Sequence, residues 1–597
     1  MFQKTILFSR LMFPDIGGME SHQAALSHMC PIQVAIEGGY HILYHDTDFS
    51  TPSLPLFLDR LEDFTMRLQI TVFFFNDLGF ITIIEDLKAR FSHVQFIMRS
   101  GGNDILRAPV GDDSIDLSRR QSFICKTINH YIDNLIVNSD YSYLRSIKLG
   151  ILPSLMKKVR GGVGDINTSD HSTSKERDAF RRRYGIGERT LLLFACRMKR
   201  FKGINEFLDD FASYPYRKDF YLVFAGDGEM HQSIRQAVLA NGLDSQCAFL
   251  GKLSYQDSVH LISFADYLVN PSIEEERFYG DKSYIHTETM GRSMMEAVSQ
   301  KVPIIATDVG GTRELFYECE NVGYLIGKPY GIHEILDRIR MEQHPFHPIA
   351  CDYSWKNVFD KYRLLMNPPD KNVLVLDLDD TLIRTGEDIE SIVYLLNQKR
   401  SRFHLIINSA RKYDQDLKAL SDRLGADYCI ANNGSYIYTQ KKTMWNDKSF
   451  LYDEIIQDTD KVYRLLKISF HDCVVKKTHE HIIQLRFNKA IGSEELKRLE
   501  TILSGTSFEY IFNSNLMKVY PKYMSKASAF QFVLKDLFFN KIYGAGNSLN
   551  DCLFLRLTDH AWLSDNLKGV DLGSAIVTYF HDDEAGIRLL SNILKEL

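Results

Sequence analysis

Paired cysteines are missing from this chain. Its nine cysteines, Cys30, Cys125, Cys196, Cys247, Cys319, Cys351, Cys429, Cys473 and Cys552, fall at no C-x-x-C spacing, and no His/Cys cluster accompanies them. That excludes a zinc ribbon and argues against a disulfide scaffold, so buried reduced thiols in a cytoplasmic protein are expected. A basic excess is missing as well. The net charge is −6, whereas a nucleic-acid binder carries a basic field, so no nucleic-acid partner is expected. Long apolar runs are absent: the most apolar stretch, Ile70 to Ile84, is broken by Asn76 and Asp77. It is too short to cross a bilayer, and no transmembrane segment is expected. Met1–Arg10 lacks a long apolar centre and a small-residue cleavage site, so it is expected to be a first β-strand rather than a signal peptide. No internal repeat or low-complexity tract occurs.

What is present is ordinary globular material in more than one portion. A chain of 597 residues exceeds a single core. Hydrophobic content of 45% and charged content of 25% suit folded domains. Short apolar runs alternate with helical patterns, which predicts α/β layers with parallel sheets. Strands are predicted at Thr5–Ser9, Gly39–Tyr44, Thr71–Phe75, Val94–Met98 and Asn134–Asn138. A second set is predicted at Thr190–Ala195, Phe220–Ala225, Ala248–Leu250, Tyr267–Asn270 and Pro303–Thr307. The polar segment from Asp165 to Arg189 reads as a crossing between two lobes. Met366-Asn-Pro-Pro-Asp-Lys371 reads as a linker, because two prolines end a helix and stiffen the joint. The expected division is 1–168, 169–365 and 371–597, with a cap at about 438–517.

In the first portion, Phe13-Pro-Asp-Ile-Gly17-Gly18 follows a strand and opens a helix, where backbone N–H groups can approach a phosphate. Cys196-Arg197-Met-Lys-Arg200-Phe-Lys202-Gly203 follows another, and Arg197 with Lys202 suits a diphosphate. Each motif alone equally fits a plain turn. Further on come Ala225-Gly-Asp227-Gly228, Phe249-Leu-Gly251-Lys-Leu253 and Glu288-Thr-Met-Gly-Arg-Ser-Met-Met-Glu296. Pro303-Ile-Ile-Ala-Thr-Asp-Val-Gly-Gly311 closes the series.

Taken in order, these motifs resemble the retaining glycosyltransferase family 4, of the two-lobed GT-B fold. The resemblance implies that Glu288 is catalytic, binding hydroxyls of the donor sugar, and that Glu296 binds the nucleotide's ribose. It implies that Met290 and Gly291 face the diphosphate at a helix start, while Arg197 and Lys202 neutralise it. Gly18 would add an N–H from the opposite lobe, and Gly251 to Leu253 would line the base pocket. No metal is implied for transfer. Two departures stand out. About a dozen residues, Glu274 to Thr287, intervene before the Glu288 motif, and read as a loop over the donor pocket or as surface. After Met98, where many relatives carry a histidine, the chain has Arg99-Ser100-Gly-Gly-Asn103-Asp104.

The last portion opens with Val373-Leu-Val-Leu-Asp377-Leu-Asp379-Asp-Thr381, a buried strand ending in two acids. One carboxylate can attack a phosphoryl group, and a second two residues on can carry the proton. Ser409 in Ile407-Asn-Ser-Ala-Arg411 could hold a phosphate oxygen. Lys526 precedes a helix, where it could neutralise the transferring group. Gly546-Asn547-Ser548-Leu-Asn550-Asp551 offers a metal-side loop. The order resembles the haloacid dehalogenase superfamily, in its Cof and sucrose-phosphate-phosphatase-like branch. That implies catalytic Asp377, Asp379 and Lys526, phosphate binding by Ser409 and Lys526, and Mg²⁺ held by Asp377, Asp379, Asn547 and Asp551. Asn547 stands where the family has Asp, so one negative charge is absent. The expected fold class is therefore α/β, with two Rossmann-like lobes followed by a HAD-like α/β domain carrying an inserted α+β cap. The implied function is bifunctional, similar in architecture to sucrose-phosphate synthases. A nucleotide-sugar donor glycosylates a small phosphorylated acceptor, and the product is then dephosphorylated. The alternative is a transferase with a regulatory, inactive HAD-like domain.

Overall fold

The structure is a computed structural model. It describes residues 4–9, 22, 25–27, 30, 32–36, 39–44, 47–107, 117–164, 170–279, 282–327, 331–341, 346, 348, 352–384, 388–439, 443–445, 452–581 and 586–597. The chain divides into two compact units, Met1–Met366 and Asn367–Leu597.

The first unit holds two sheets. One is eight-stranded. Its parallel portion places Ile32–Ala35, Thr5–Phe8, Val72–Phe75, Gln95–Arg99, Asn134–Val137 and Met156–Lys158 side by side. Tyr40–Tyr44 and Thr47–Thr51 extend it as antiparallel edge strands. The other sheet is six-stranded and wholly parallel. Its order is Cys247–Gly251, Phe220–Ala225, Thr190–Ala195, Tyr267–Asn270, Ile304–Thr307, Gly323–Ile326. In chain order this reads 3-2-1-4-5-6, the doubly wound arrangement that puts ligands at the carboxyl ends of its strands.

The run Thr190–Ala195 shows why these strands are apolar throughout. Leu191, Leu193 and Ala195 enter a core with Met290, Met294 and Met295. Leu192 and Phe194 enter a separate core with Phe207, Phe211 and Leu336. Side chains alternate across a strand, and helices cover both faces, so both parities must be apolar.

The second unit pairs Asn372–Leu376 with Phe403–Asn408 and Ile542–Gly546 in a parallel core, extended by Tyr428–Ala431, His560–Ser564 and Ile576–Phe580. A separate four-stranded antiparallel sheet, Cys473–His479, Ile482–Phe487, Leu516–Pro521 and Phe508–Asn513, forms the cap with the helices Tyr452–Ser469 and Ser493–Leu503. Its third strand runs on past Met517 to Pro521. Tyr436–Tyr438 pairs with Tyr428–Ala431 in the core sheet rather than in the cap.

Every predicted strand is present, with ends shifted by no more than one residue. The segment Glu274 to Thr287, expected as a loop, is instead a β-hairpin of Glu275–Tyr279 against Lys282–His286. Its charged sequence hid the alternation, although Tyr284 is buried. The polar segment before Arg189 contains the helix Asp170–Arg183, and the expected lobe boundary at 168 lies outside the described residues.

Candidate functional site

In the first unit the helix Arg292–Ser299 begins at Gly291, which takes φ 69°. Glu288 lies just before it and is bound on both oxygens. One oxygen accepts the Gly291 N–H at 3.0 Å, and the other pairs with Lys202 Nζ. Burial raises the Glu288 carboxyl, but Lys202 outweighs it and holds the group below the ordinary carboxylate range. The Glu288 backbone is gripped from behind, where Gly311 N donates to its carbonyl at 2.9 Å. Gly310 has φ +54°, and a Cβ there would stand 2.0 Å from that carbonyl oxygen. The paired glycines therefore let a second loop close directly onto the glutamate.

Lys202 follows the strand Thr190–Ala195, and exposed Arg197 lies within electrostatic reach of it. One turn along the helix, buried Glu296 pairs with Arg292 at 3.0 Å. Arg292 in turn lies 4.9 Å over the Tyr255 ring. Gly251 ends the edge strand at φ +70° and accepts the Gly226 N–H at 2.8 Å. Leu253 packs on the same core as Met290. Thus Lys202, Glu288, Met290, Gly291 and Glu296 gather at one strand-to-helix junction, with Arg197 beside it. Gly18 lies outside the described residues.

The first sheet faces this junction with groups the sequence did not single out. Asn103 Nδ2 donates to Thr287 O at 2.9 Å, and Thr289 Oγ1 donates to Gly101 O at 3.0 Å. Gly161 N donates to Met290 Sδ at 3.3 Å. Arg99 is 2% exposed, and burial lowers its pKa. A histidine is nearby after all: buried His22 lies 2.7 Å from Asn76 Oδ1 and 2.6 Å from Tyr362 OH. Burial, reinforced by Arg99, holds His22 well below its ordinary value, so the ring is neutral. His22 stands in the same sequence motif as Gly17 and Gly18, but no role could be read for it there because its partners lie 54 and 340 residues away. The two sheets are also pinned by buried charges. Arg160 reaches Glu314 at 2.7 Å and Glu318 at 2.8 Å, and Lys158 reaches Glu318 at 3.2 Å.

In the second unit, Lys526 Nζ donates to Asp377 Oδ1 and Asp551 Oδ1, both at 2.6 Å. Burial and the second carboxylate push Asp377 up to about 7 against the pull of Lys526, which is itself raised. Asp551 Oδ2 accepts from Asn547 N at 3.1 Å, Ser548 N at 2.8 Å and Ser548 Oγ at 2.7 Å. Gly546 makes this possible, since a Cβ there would meet Asp551 Cβ at 2.3 Å. Asp379 is held by Arg411, whose Nε lies 3.1 and 3.0 Å from its two oxygens. Ser409 Oγ accepts the Arg411 N–H at 3.1 Å. Arg411 stands in the same sequence motif as Ser409, two residues on, and that adjacency was the available signal. The Arg411–Asp379 pair is about half exposed, and such pairs contribute ~0–1 kcal/mol to stability. Its effect is to orient the carboxylate.

The oxygen donors here suit a hard divalent cation. Among the described residues Asp377 Oδ2 accepts a single long bond, 3.2 Å from Thr381. The Asp379 carbonyl faces the Asn547 amide at 3.1 Å, and rotation of that amide presents its oxygen instead. Among the described residues no group of three or more His, Cys, Asp or Glu could hold a metal by itself, so the set depends on the carbonyl and the amide. Asp551, with Oδ2 already accepting three donors, orients the loop.

Comparison with known proteins resolves the two units. Residues 176–341 match the family described as glycosyl transferases group 1. Residues 370–561 match sucrose-6F-phosphate phosphohydrolase. The chain joins a group 1 glycosyl transferase domain to a HAD-like phosphohydrolase domain. Alpha-D-kanosaminyltransferase of Streptomyces kanamyceticus is 26% identical over 171 residues, 28% of this chain and 40% of that protein. N-acetyl-alpha-D-glucosaminyl L-malate synthase of Bacillus anthracis is 26% identical over 187 residues, 31% of this chain and 44% of that protein. The chain spans about half the length of the curated relatives it matches. Among solved structures, Anabaena HepE in complex with UDP aligns at TM-score 0.46 and 16% identity, over 61% of this chain and 99% of that one. The sucrose-phosphatase of Synechocystis aligns at 0.29 and 17%, over 38% and 98%. Of the residues named from sequence, Lys202 and Gly291 meet Glu288 in one domain, and Lys526 meets Asp377 and Asp551 in the other. No helix among the described residues is long and apolar enough to cross a membrane.

Proposed function

We propose that this chain is a bifunctional enzyme. It transfers a hexosyl group from a nucleotide sugar to a small phosphorylated acceptor with retention, and then removes the phosphate. The lobes 1–168 and 169–365 would carry transfer, and 371–597, with its cap at about 438–517, would carry hydrolysis. The carrying observation is that both reactions have pre-paired charges within one chain: the largely covered Lys202 with Glu288, and the buried Lys526 between Asp377 and Asp551.

In transfer, Lys202 and Arg197 neutralise the donor diphosphate as it leaves, helped by the backbone N–H groups at Met290 and Gly291 and by Gly18. Glu288 holds sugar hydroxyls, Glu296 the ribose, and Gly251 to Leu253 the base. These cations make a metal unnecessary. Arg99 takes the acceptor-side place that a histidine fills in many relatives.

In hydrolysis, an Asp377 oxygen attacks phosphorus, and Asp379 gives a proton to the departing alcohol. Asp379 then takes a proton from the water that splits the aspartyl phosphate. Lys526 and Ser409 hold phosphoryl oxygens. Asp377, the Asp379 carbonyl and Asn547 would hold Mg²⁺, with Asp551 supporting them. Such an ion supplies charge neutralisation to the phosphoryl group. The described cysteines are all free thiols, which suits a cytoplasmic setting.

The testing experiment incubates the full chain with nucleotide sugars and phosphorylated acceptors, following phosphorylated glycoside and free phosphate separately. Formation of both in sequence supports the reading; absence of any glycoside overturns it. Asn547, lacking the family's charge, favours one second reading, in which the phosphohydrolase domain only binds and regulates.

A further inference from the structure

The face of the cap sheet turned away from its helices carries a lysine, Lys518, that pairs with no carboxylate among the described residues. In the strand Leu516–Pro521, Met517 and Val519 are buried with Leu485, Ile483, Leu466 and Leu499 against the cap helices. Lys518 lies between them, so its side chain takes the opposite face. Across the sheet Lys518 is in register with Gln484 and Ile511, and Gln484 with Lys476. These residues form one row turned away from the helices.

That row lies close to the catalytic strand ends. At the tip of the neighbouring hairpin, His479 Nε2 is 2.8 Å from Asn433 Nδ2, and His481 Nε2 is 3.4 Å from Asn433 O. Asn433 N donates to Ser409 O at 3.3 Å. Burial lowers the Lys518 ammonium, Asp551 opposes this, and Lys526 adds to it, so the side chain senses the catalytic charges directly. The two cations at the strand ends have partners: Lys526 holds Asp377 and Asp551, and Arg411 holds Asp379. Lys518 pairs with no carboxylate among the described residues, and the amide of Gln484, 8% exposed, has no hydrogen-bond partner among them. A half-buried ammonium is unfavourable without an anion. The leaving phosphate already has Lys526 and Ser409 at the strand ends. A group on the cap meets the organic part of the ester instead.

We propose that the phosphohydrolase domain takes a phosphate monoester bearing a second anionic group, a carboxylate or a further phosphate, which Lys518 and Gln484 bind. This rests on the phosphatase reading of that domain. The glycoside made by the transferase lobes then carries two anionic groups.

The test measures dissociation constants on the full chain by calorimetry for three probes. Sorbitol 6-phosphate has one anionic group, 6-phosphogluconate adds a carboxylate, and fructose 1,6-bisphosphate adds a phosphate. At least one of the doubly anionic probes is expected to bind about tenfold tighter than sorbitol 6-phosphate, an advantage that Lys518→Gln reduces to below about threefold. The bound pair shows which anion is preferred. Gln484→Leu is expected to reduce the same ratio. Equal affinities in the wild type, or no binding, overturn the proposal without any variant. A Lys518→Gln loss shared equally by all three probes also overturns it, since the lysine then serves the common phosphate. Phosphate release is followed separately: discrimination without release removes the phosphatase reading alone, and release without discrimination removes the second-anion site alone.

Discussion

Asn547 Nδ2 donates to the main-chain carbonyl of Asp379 at 3.1 Å. An amide and a carbonyl thus meet where the related phosphatases are expected to set a carboxylate beside a cation. Asn547→Asp restores a negative ligand and is expected to lower the Mg²⁺ concentration for half-maximal phosphate release about tenfold, because site charge tunes cation affinity. If wild type and Asn547→Asp both leave every phosphorylated glycoside intact while transfer proceeds, the regulatory-domain reading replaces the bifunctional one.

Asp377→Asn is expected to stop phosphate release and spare transfer, so that a phosphorylated glycoside accumulates. Mass analysis of the reaction mixture decides it. The Asn side chain keeps an acceptor for Lys526, so the fold should survive. Lys526→Ala, in contrast, leaves two buried carboxylates facing each other, and breaking such a network costs about 3–5 kcal/mol.

Lys202→Ala is expected to reduce transfer about a hundredfold, the scale set by removing one preorganised charge from a leaving anion. Arg197, which is exposed, should cost less on substitution by Ala. A double variant that turns over at the wild-type rate would sink the donor-site assignment. Transfer should also persist in chelator, while phosphate release should not.

Glu314 gives a pH signature. Burial first, and Asp140 next, push its carboxyl up to about 7 from an ordinary 4.5. Between those values the folded state holds the proton more tightly than the unfolded state, so stability falls as pH rises through the window. Glu314→Gln is expected to flatten that slope, an effect of at most about 3 kcal/mol. Glu318 acts in the opposite sense. Although desolvation opposes it, Glu318 is held down to about 2 by Arg160 and Lys158, so its contribution is present above 4.5 and lost as pH falls toward 2. Thermal unfolding between pH 5 and 7 checks the first claim: an unchanged slope in Glu314→Gln removes it.

Parallel strands were legible where both faces are apolar, as Leu191 to Ala195 illustrate, whereas the short Ile32–Ala35, Met156–Lys158 and Gly323–Ile326, which hold Gln33, two lysines and Gly323, were not. The edge strand Thr47–Thr51 was not, since it is largely exposed and lacks that mark. Glu288, Lys202, Asp377 and Lys526 were legible because each stands in a local motif beside a strand or helix end. His22, Tyr362 and Arg99 form their contacts only through the fold, as do Lys518 and Gln484, and no spacing announces them. Arg411 lies between these cases, visible in sequence but without a purpose until its reach to Asp379 is seen.

Glu314 accepts the backbone N–H groups of Asp140 and Tyr141, each at 2.9 Å, at the start of the helix Asp140–Lys148. That helix belongs to the first sheet's layer, yet part of its end is finished by a residue more than 170 positions later. During synthesis this segment emerges well before Glu314, so those two donors then lack this partner. It gains its protein partner once residue 314 has left the ribosome, so the final consolidation of the first layer must wait for most of the second to be made.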